Sequence, residues 1–162
     1  MKRILSILLL IALVSCINTA FSASDDADVY FIICEPKSDV NVRISPDMHS
    51  AIVGTKFFGD EVIVDKEKNG FVHITNLNSE YSEGWVYKGL ITEDQPTQTN
   101  SRAVIVSDAR VAGRKYVNGK IIRWLNNGTE VNVFAVSEEW CVTDKGYIKT
   151  EFLKIREQEV GD

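Results

Sequence analysis

The side chains that could carry out covalent chemistry in this sequence are three cysteines and two histidines. A cysteine nucleophile needs a histidine to activate its thiol. His49 lies in a polar stretch, His73 follows Val72 in an apolar one, and no catalytic signature follows Cys34 or Cys141. We therefore expect no enzyme activity, and we expect both histidines to lie on the surface.

Binding of a metal, a cofactor or a nucleic acid is also not indicated. No two His or Cys residues have the close spacing of a structural zinc site. Glycine motifs that cradle phosphates are missing from the sequence. The net charge of −5 opposes contact with a phosphate backbone. We expect no metal, no cofactor and no nucleic-acid partner.

Large aromatic residues near predicted turns and strand ends are the remaining candidates for a binding surface. Exposed aromatic rings suit sugar or peptide recognition because they offer broad, rigid area at a small entropic cost. The ligand-binding candidates are Tyr87 and Phe57 in the first half of the chain and Tyr116 and Trp124 in the second. Small β domains also need bulky core residues, and for that role we predict Trp85, Trp140, Phe71 and Phe152.

The N-terminus has the pattern of an export signal, in which a basic start precedes an apolar run at residues 4–14. The run is shorter than the roughly 20 residues that a membrane-spanning helix needs. Leu13-Val14-Ser15-Cys16 is similar to a bacterial lipobox, which would remove residues 1–15 and attach lipid to Cys16. Ordinary cleavage after Ser22 would remove residues 1–22 instead. We favour the lipoprotein, and either route predicts an exported protein of the cell envelope, membrane-anchored or periplasmic or secreted.

Both cleavage routes leave Cys34 and Cys141 in the mature chain. Outside the cytoplasm, a pair of cysteines can form a disulfide. The alternative is two reduced cysteines that pack in a core as small apolar side chains. The sequence leaves both alternatives open.

The chain contains two copies of one pattern, and an internal repeat of this kind sets the architecture. Residues 59–64 align with residues 128–133, and the same spacing aligns 52–53 with 121–122 and 71–72 with 140–141. Residues 84–91 correspond to 146–153. At the front of each copy, residues 41–43 are matched with 108–110, so that Arg43 and Arg110 recur and are expected to brace a loop through backbone hydrogen bonds.

Each copy has the composition of β structure, with short runs of Val, Ile and aromatic residues separated by Gly, Asn, Asp and Ser. Asn69-Gly70 and Asn127-Gly128 are typical of hairpin corners. Five or six short strands in about 55–60 residues bury their apolar face by curling into a small barrel. We predict an all-β fold with two tandem small barrels at residues 29–91 and 102–153, a polar linker at 92–101 and a frayed tail at 154–162.

The motifs of both copies resemble the bacterial SH3-like (SH3b) domains of cell-envelope proteins. Residues 40–46, Val-Asn-Val-Arg-Ile-Ser-Pro, are similar to the opening of that family, and Gly59, Phe71 and Gly84-Trp85-Val86 follow in the family's order. The second copy keeps Gly128, Trp140 and Gly146-Tyr147-Ile148.

The resemblance implies two tandem SH3-like barrels without catalysis, used for attachment to peptidoglycan or a related wall glycan or peptide. The acidic charge would oppose encounter with anionic wall polymers. The second hypothesis is therefore protein–protein interaction, or a sensor or assembly accessory role, with another envelope protein as the partner.

Overall fold

The computed structural model describes residues 28–75 and 83–156. Over these residues the protein consists of fourteen strands and two short 3-10 helices, arranged in two seven-stranded antiparallel sheets. The all-β prediction is confirmed. The export signal, both cleavage sites and Cys16 lie outside the described residues.

The first sheet is formed by strands within residues 28–75 and 83–92, and a 3-10 helix at Lys88–Leu90 leads into its last strand. Its strands lie in the order β3-β2-β6-β5-β4-β1-β7. Their bounds are β1 (Asp28–Ile32), β2 (Asp39–Arg43), β3 (Ile52–Phe57), β4 (Glu61–Lys68), β5 (Phe71–Thr75), β6 (Glu83–Tyr87) and β7 (Ile91–Thr92).

The second sheet repeats this arrangement strand for strand. Its order is β10-β9-β13-β12-β11-β8-β14, and a 3-10 helix at Thr150–Phe152 again precedes the last strand. The bounds are β8 (Thr97–Ile105), β9 (Val111–Arg114), β10 (Ile121–Leu125), β11 (Glu130–Val136), β12 (Trp140–Thr143), β13 (Gly146–Lys149) and β14 (Leu153–Arg156). Each strand of the first sheet therefore has a counterpart in the same position of the second.

Local turn chemistry explains where the hairpins form. Gly59 and Gly128 both have a left-handed backbone, with φ of 80° and 77°, a conformation that glycine adopts without steric cost. At the β4–β5 corner, Asn69 and Gly70 have φ of 54° and 76°, the pair of positive values that a two-residue hairpin turn requires. The Asn-Gly signal thus predicted this corner correctly.

The sequence alignment is wrong at one point, where it matches Arg43 with Arg110. In the structure Arg43 ends β2 and pairs with Trp85. Arg114 ends β9 and pairs with Tyr147, which stands in the position of Trp85. The loop after β9 is shorter than the loop after β2. The alignment therefore needs a gap after the arginine, and one sequence alone does not show where that gap belongs.

Two apolar clusters form separate cores. The first includes Val40 and Val42, whose alternation along β2 places them on the inner face, and the second includes Val131 and Val133 of β11. Burying a side chain of this size contributes about 1.5–3 kcal/mol. Of the predicted core aromatics, Trp140 and Phe71 are buried, whereas Trp85 and Phe152 are only half-buried.

The predicted linker and tail are both too long. Residues 97–101 of the predicted linker belong to β8, which pairs with β11 as far as Thr97↔Val136. Residues 154–156 of the predicted tail belong to β14, which pairs with β8. Strands held mainly by backbone pairing can carry polar, exposed side chains, so composition did not distinguish them from linkers.

The two sheets dock against each other through a third apolar cluster. Ile33 of the first sheet packs with Trp140, Val142 and Tyr147 of the second. The Tyr147 hydroxyl donates a hydrogen bond to the Ile33 carbonyl at 3.0 Å, and the Val117 N–H donates to the Gly89 carbonyl at 3.0 Å. These contacts fix the sheets relative to each other.

The docking is head-to-tail, because the two sheets contribute different faces. Ile33 and Val106 occupy the same backbone position, since each N–H donates at 2.9 Å to the carbonyl of the residue that ends the 3-10 helix, Leu90 or Phe152. Ile33 is fully buried in the cluster that it forms with residues of the second sheet, whereas Val106 is 53% exposed. The face that the first sheet uses for docking is therefore open on the second.

Within the described ranges there is no helix with the length and apolar character to cross a membrane.

Candidate ligand-binding cleft between the two sheets

A cleft of about 430 Å³ lies where the two sheets meet. From the first sheet it is lined by β2, by the segment that leads into β2, and by the end of β6. From the second it is lined by the β9–β10 loop and the β12–β13 corner. The docking contacts described above bring these segments together, so neither sheet forms the cleft alone. We call this feature the intersheet cleft.

Two tyrosines, one from each sheet, form an aromatic wall of the intersheet cleft. The rings of Tyr87 and Tyr116 lie edge to face, with 4.9 Å between their centroids and 62° between their planes. The Phe71 ring, which also lines the cleft, lies 5.6 Å from that of Tyr87, and the Lys115 ammonium lies 5.1 Å from the centre of the Tyr116 ring. Aromatic pairs in this geometry stabilise each other.

Two arginines in equivalent positions also line the intersheet cleft. Arg43 donates through Nη1 to the Ser50 carbonyl at 2.6 Å, and Arg114 donates through Nη1 to the Gly119 carbonyl at 2.8 Å. The expected bracing role of Arg43 is thus confirmed. Arg110, for which the same role was predicted, instead lies over the Trp124 ring at 5.4 Å.

The carboxylates of Glu35 and Asp39 give the intersheet cleft negative charge as well. Both lie close to Cys34, which also lines the cleft. Burial, together with the charges of Asp39, Asp60 and Glu35, raises the pKa of the Cys34 thiol to about 11. A reactive cysteine needs a lowered pKa, so Cys34 stays a neutral thiol at physiological pH.

The structure brings together two of the four predicted ligand-binding residues. Tyr87 and Tyr116 meet in the intersheet cleft, although they are far apart in sequence. Trp124 and Phe57 do not line it. They are 52% and 58% exposed and lie on β10 and β3, the edge strands of the two sheets.

Cys34 and Cys141 are free, buried thiols in the two separate cores. The Cys34 thiol donates to the Ser38 carbonyl at 3.5 Å, and the Cys141 sulfur lies 3.5 Å from the Thr150 hydroxyl oxygen. This arrangement corresponds to the alternative of two reduced cysteines that pack in a core. A disulfide would have to join side chains from different cores.

The prediction that His73 lies on the surface is wrong, because its side chain is buried beneath Trp85 and the neighbouring strands. The two rings are 5.0 Å apart, and the imidazole Nδ1 lies 2.7 Å from the Asp65 carboxylate. Trp85 comes from β6, so the cover over His73 is a non-local contact that the sequence does not reveal. His49 is exposed, as expected.

Sequence reasoning missed the cleft positions of Arg114 and Lys115. The signal for Arg114 was present in the repeat itself, as the second copy of Arg43, but the misplaced gap concealed it. Within residues 28–75 and 83–156 no three His, Cys, Asp or Glu side chains group closely enough to hold a metal ion.

Comparison with known protein families identifies the first sheet. Residues 38–92, which include β2 to β7, match the family described as bacterial SH3 domain. These residues thus have the pattern of a bacterial SH3 domain, and the resemblance found in the sequence is confirmed for the first copy. No curated protein matches the chain.

Among solved structures, the chain is similar to NlpC2 from Trichomonas vaginalis, with 16% identity and a TM-score of 0.32 over 83% of this chain and 50% of that chain. It thus spans about half the length of that protein. The match to NlpC1 from the same organism has 16% identity and a TM-score of 0.32 over 83% and 48% of the two chains. A third match, the CBD of endolysin LysPBC5, has 15% identity and a TM-score of 0.30 over 78% and 92% of the chains.

Proposed function

We propose that this protein is a non-catalytic binding module of the bacterial cell envelope that recognises peptidoglycan through the intersheet cleft. The observation that carries the proposal is the pair Tyr87 and Tyr116, which the docking of the two sheets brings into one wall beside groups of both charges. The bacterial SH3 domain at residues 38–92 and the export pattern at the N-terminus support an envelope role.

The second sheet is, in this proposal, a second SH3-like domain. Its strand order repeats that of the first sheet, including the 3-10 helix before the last strand. Two domains in tandem give a reason for the composite site, because a cleft between them has walls that a single barrel lacks. Cys16 would carry the lipid that holds the pair at a membrane surface.

The size and chemistry of the intersheet cleft suit a fragment of the wall. Its volume of about 430 Å³ lies within the range of about 300–1,000 Å³ that is usual for small-ligand sites. Aromatic faces bind sugar rings and apolar peptide side chains. Peptidoglycan contains sugars and also short peptides with amines and carboxylates, and the cleft offers acidic and basic groups that could pair with both.

Retention of the purified protein on insoluble peptidoglycan tests the proposal. We expect wild-type protein to sediment with the wall, and Tyr87→Ala and Tyr116→Ala each to reduce the retained fraction strongly. Phe57→Ala and Trp124→Ala are matched comparisons, because they remove aromatic residues that lie outside the cleft. Loss of retention only in the comparison pair would place the ligand elsewhere, and no retention of the wild type would refute wall binding.

Interaction with another envelope protein is the alternative, and the net charge of −5 favours it because wall polymers are often anionic. In that case, crosslinking in cells would capture one dominant protein partner. The same tyrosine variants would then weaken the crosslink and leave wall retention unchanged.

A further inference from the structure

We propose that Arg43 and Arg114 form a carboxylate-binding site in the intersheet cleft, so that the protein recognises an acidic peptide portion of its ligand rather than the sugar chain. This inference rests on the proposed function and specifies the ligand class. It goes beyond the bracing role of Arg43, because the guanidinium groups have donors that bracing does not use.

The first observation is that the two arginines have the same environment in the two sheets. Each ends the second strand of its sheet, and each uses one Nη1 donor to hold a backbone carbonyl of the loop that follows. A guanidinium has five N–H donors in a fixed plane. Bracing therefore orients each group while leaving most of its donors available.

The second observation is that neither guanidinium is held in a direct ion pair. In the part of the chain that the structure describes, Arg43 and Arg114 form no ion pair, whereas Arg156 pairs with Glu130 at 3.0 Å. Both cleft arginines are half-buried. A charge that is partly removed from water and has no directly bonded counter-ion gains from an anionic ligand, which replaces the lost hydration.

The third observation is that the docking of the sheets brings both arginines to one cleft, beside Lys115. Planar guanidinium groups bind carboxylates through two parallel hydrogen bonds. These three cations outnumber the two carboxylates of Glu35 and Asp39 in the same cleft. Together with the tyrosine wall they suit a peptide with free carboxylates and an apolar side chain. Neutral sugar hydroxyls would not form the charge-assisted, two-pronged bonds that the guanidinium groups offer.

The test compares defined probes by calorimetric titration of the purified protein. The first probe is a disaccharide–tetrapeptide wall fragment with free carboxylates, and the second is the same fragment with its carboxylates converted to amides. We expect the amidated fragment to bind at least tenfold more weakly. Equal affinity for the two fragments would overturn the carboxylate site and leave wall binding intact.

Substitutions of single arginines test whether Arg43 and Arg114 are the residues that bind the carboxylates. Arg43→Gln and Arg114→Gln should each lower the affinity for the acidic fragment about tenfold while hardly changing the affinity for the amidated one. Arg43→Lys and Arg114→Lys keep the charge but lose the planar fork, so they should fall in between. Arg102→Gln is the matched control, because Arg102 is an exposed strand arginine that does not line the cleft. A loss of equal size in Arg102→Gln would overturn the assignment.

A wall-independent measurement separates this inference from the proposed function. N-acetyl-Ala-Glu, which has two carboxylates, is titrated into ¹⁵N-labelled wild-type protein, and its diamide serves as the comparison probe. Saturable shifts of the Arg43 and Arg114 Nε signals with the acid alone would support the carboxylate site, even if wall retention failed. The absence of any shift at those signals would overturn it, even if wall retention succeeded.

Discussion

Truncation of Ile33 to alanine should destabilise the protein much more than truncation of Val106 to alanine. The two residues occupy the same position in their sheets and make the same backbone hydrogen bond. They differ because Ile33 is fully buried in the cluster that both sheets share, whereas Val106 is 53% exposed. The comparison therefore reports mainly on the contribution of docking.

The expected magnitude follows from burial. Replacing a fully buried isoleucine with alanine costs about 2–5 kcal/mol, because apolar contacts are lost and a cavity remains. Replacement at a half-exposed surface position costs about 0.5 kcal/mol or less. For a protein of this size 1 kcal/mol corresponds to about 4 °C in melting temperature. Ile33→Ala should thus lower the melting temperature by about 8–20 °C, and Val106→Ala by about 2 °C or less.

The assay is thermal unfolding followed by tryptophan fluorescence, with urea unfolding of the same variants to obtain the free energies. If the sheets are coupled through Ile33, wild type unfolds in a single transition and Ile33→Ala broadens or splits it. Equal losses in the two variants, or a change in Ile33→Ala no larger than that in Val106→Ala, would refute the docking described here.

Two further predictions concern the docking surface and alkaline stability. Gly89→Val should separate the sheets, because a Cβ at residue 89 would lie 2.7 Å from the Cβ of Tyr116 and 3.2 Å from the Val117 carbonyl oxygen. Small-angle X-ray scattering should show a larger radius of gyration for this variant than for wild type. An unchanged radius would contradict the close approach of the two sheets at Gly89. Burial, followed by the neighbouring carboxylates, raises the pKa of Cys34 from its ordinary value of 9.0 to about 11, so the folded state keeps a proton that the unfolded state has lost. Stability should therefore fall as the pH rises from 9 to 11, by up to about 1.4 kcal/mol per pH unit. Melting curves of Cys34→Ala across this range should fall less steeply than those of wild type, and parallel curves would show that Cys34 is not responsible.

Local patterns explain what could be predicted of the fold. The alternation in β2 and β11 and the Asn69-Gly70 corner depend on residues close together in the chain, so they are readable from sequence alone. The repeat is visible in several aligned blocks, one of which begins at Gly59 and Gly128, and both glycines have a positive φ. The position of the second arginine depends on the length of a loop, and there the alignment is wrong, because it matches Arg43 with Arg110 instead of Arg114.

Non-local contacts explain what was missed. His73 is buried because Trp85 folds over it from another strand, and β14 exists because β8 offers it a backbone edge. Both strands carry many polar side chains, so the sequence lacks the apolar alternation by which a strand is recognised. A strand whose side chains face solvent does not need that alternation.

The sequence by itself determined the β content, the turns, the twofold repeat and the choice of aromatic residues for a binding surface. Only the tertiary structure decided which of those aromatics meet. Tyr87 and Tyr116 belong to different sheets, and their contact depends on how Ile33 and Gly89 pack against the second sheet. The two sheets share a strand order, yet one buries the position of Ile33 and the other exposes that of Val106, because in a head-to-tail pair each sheet docks through a different face.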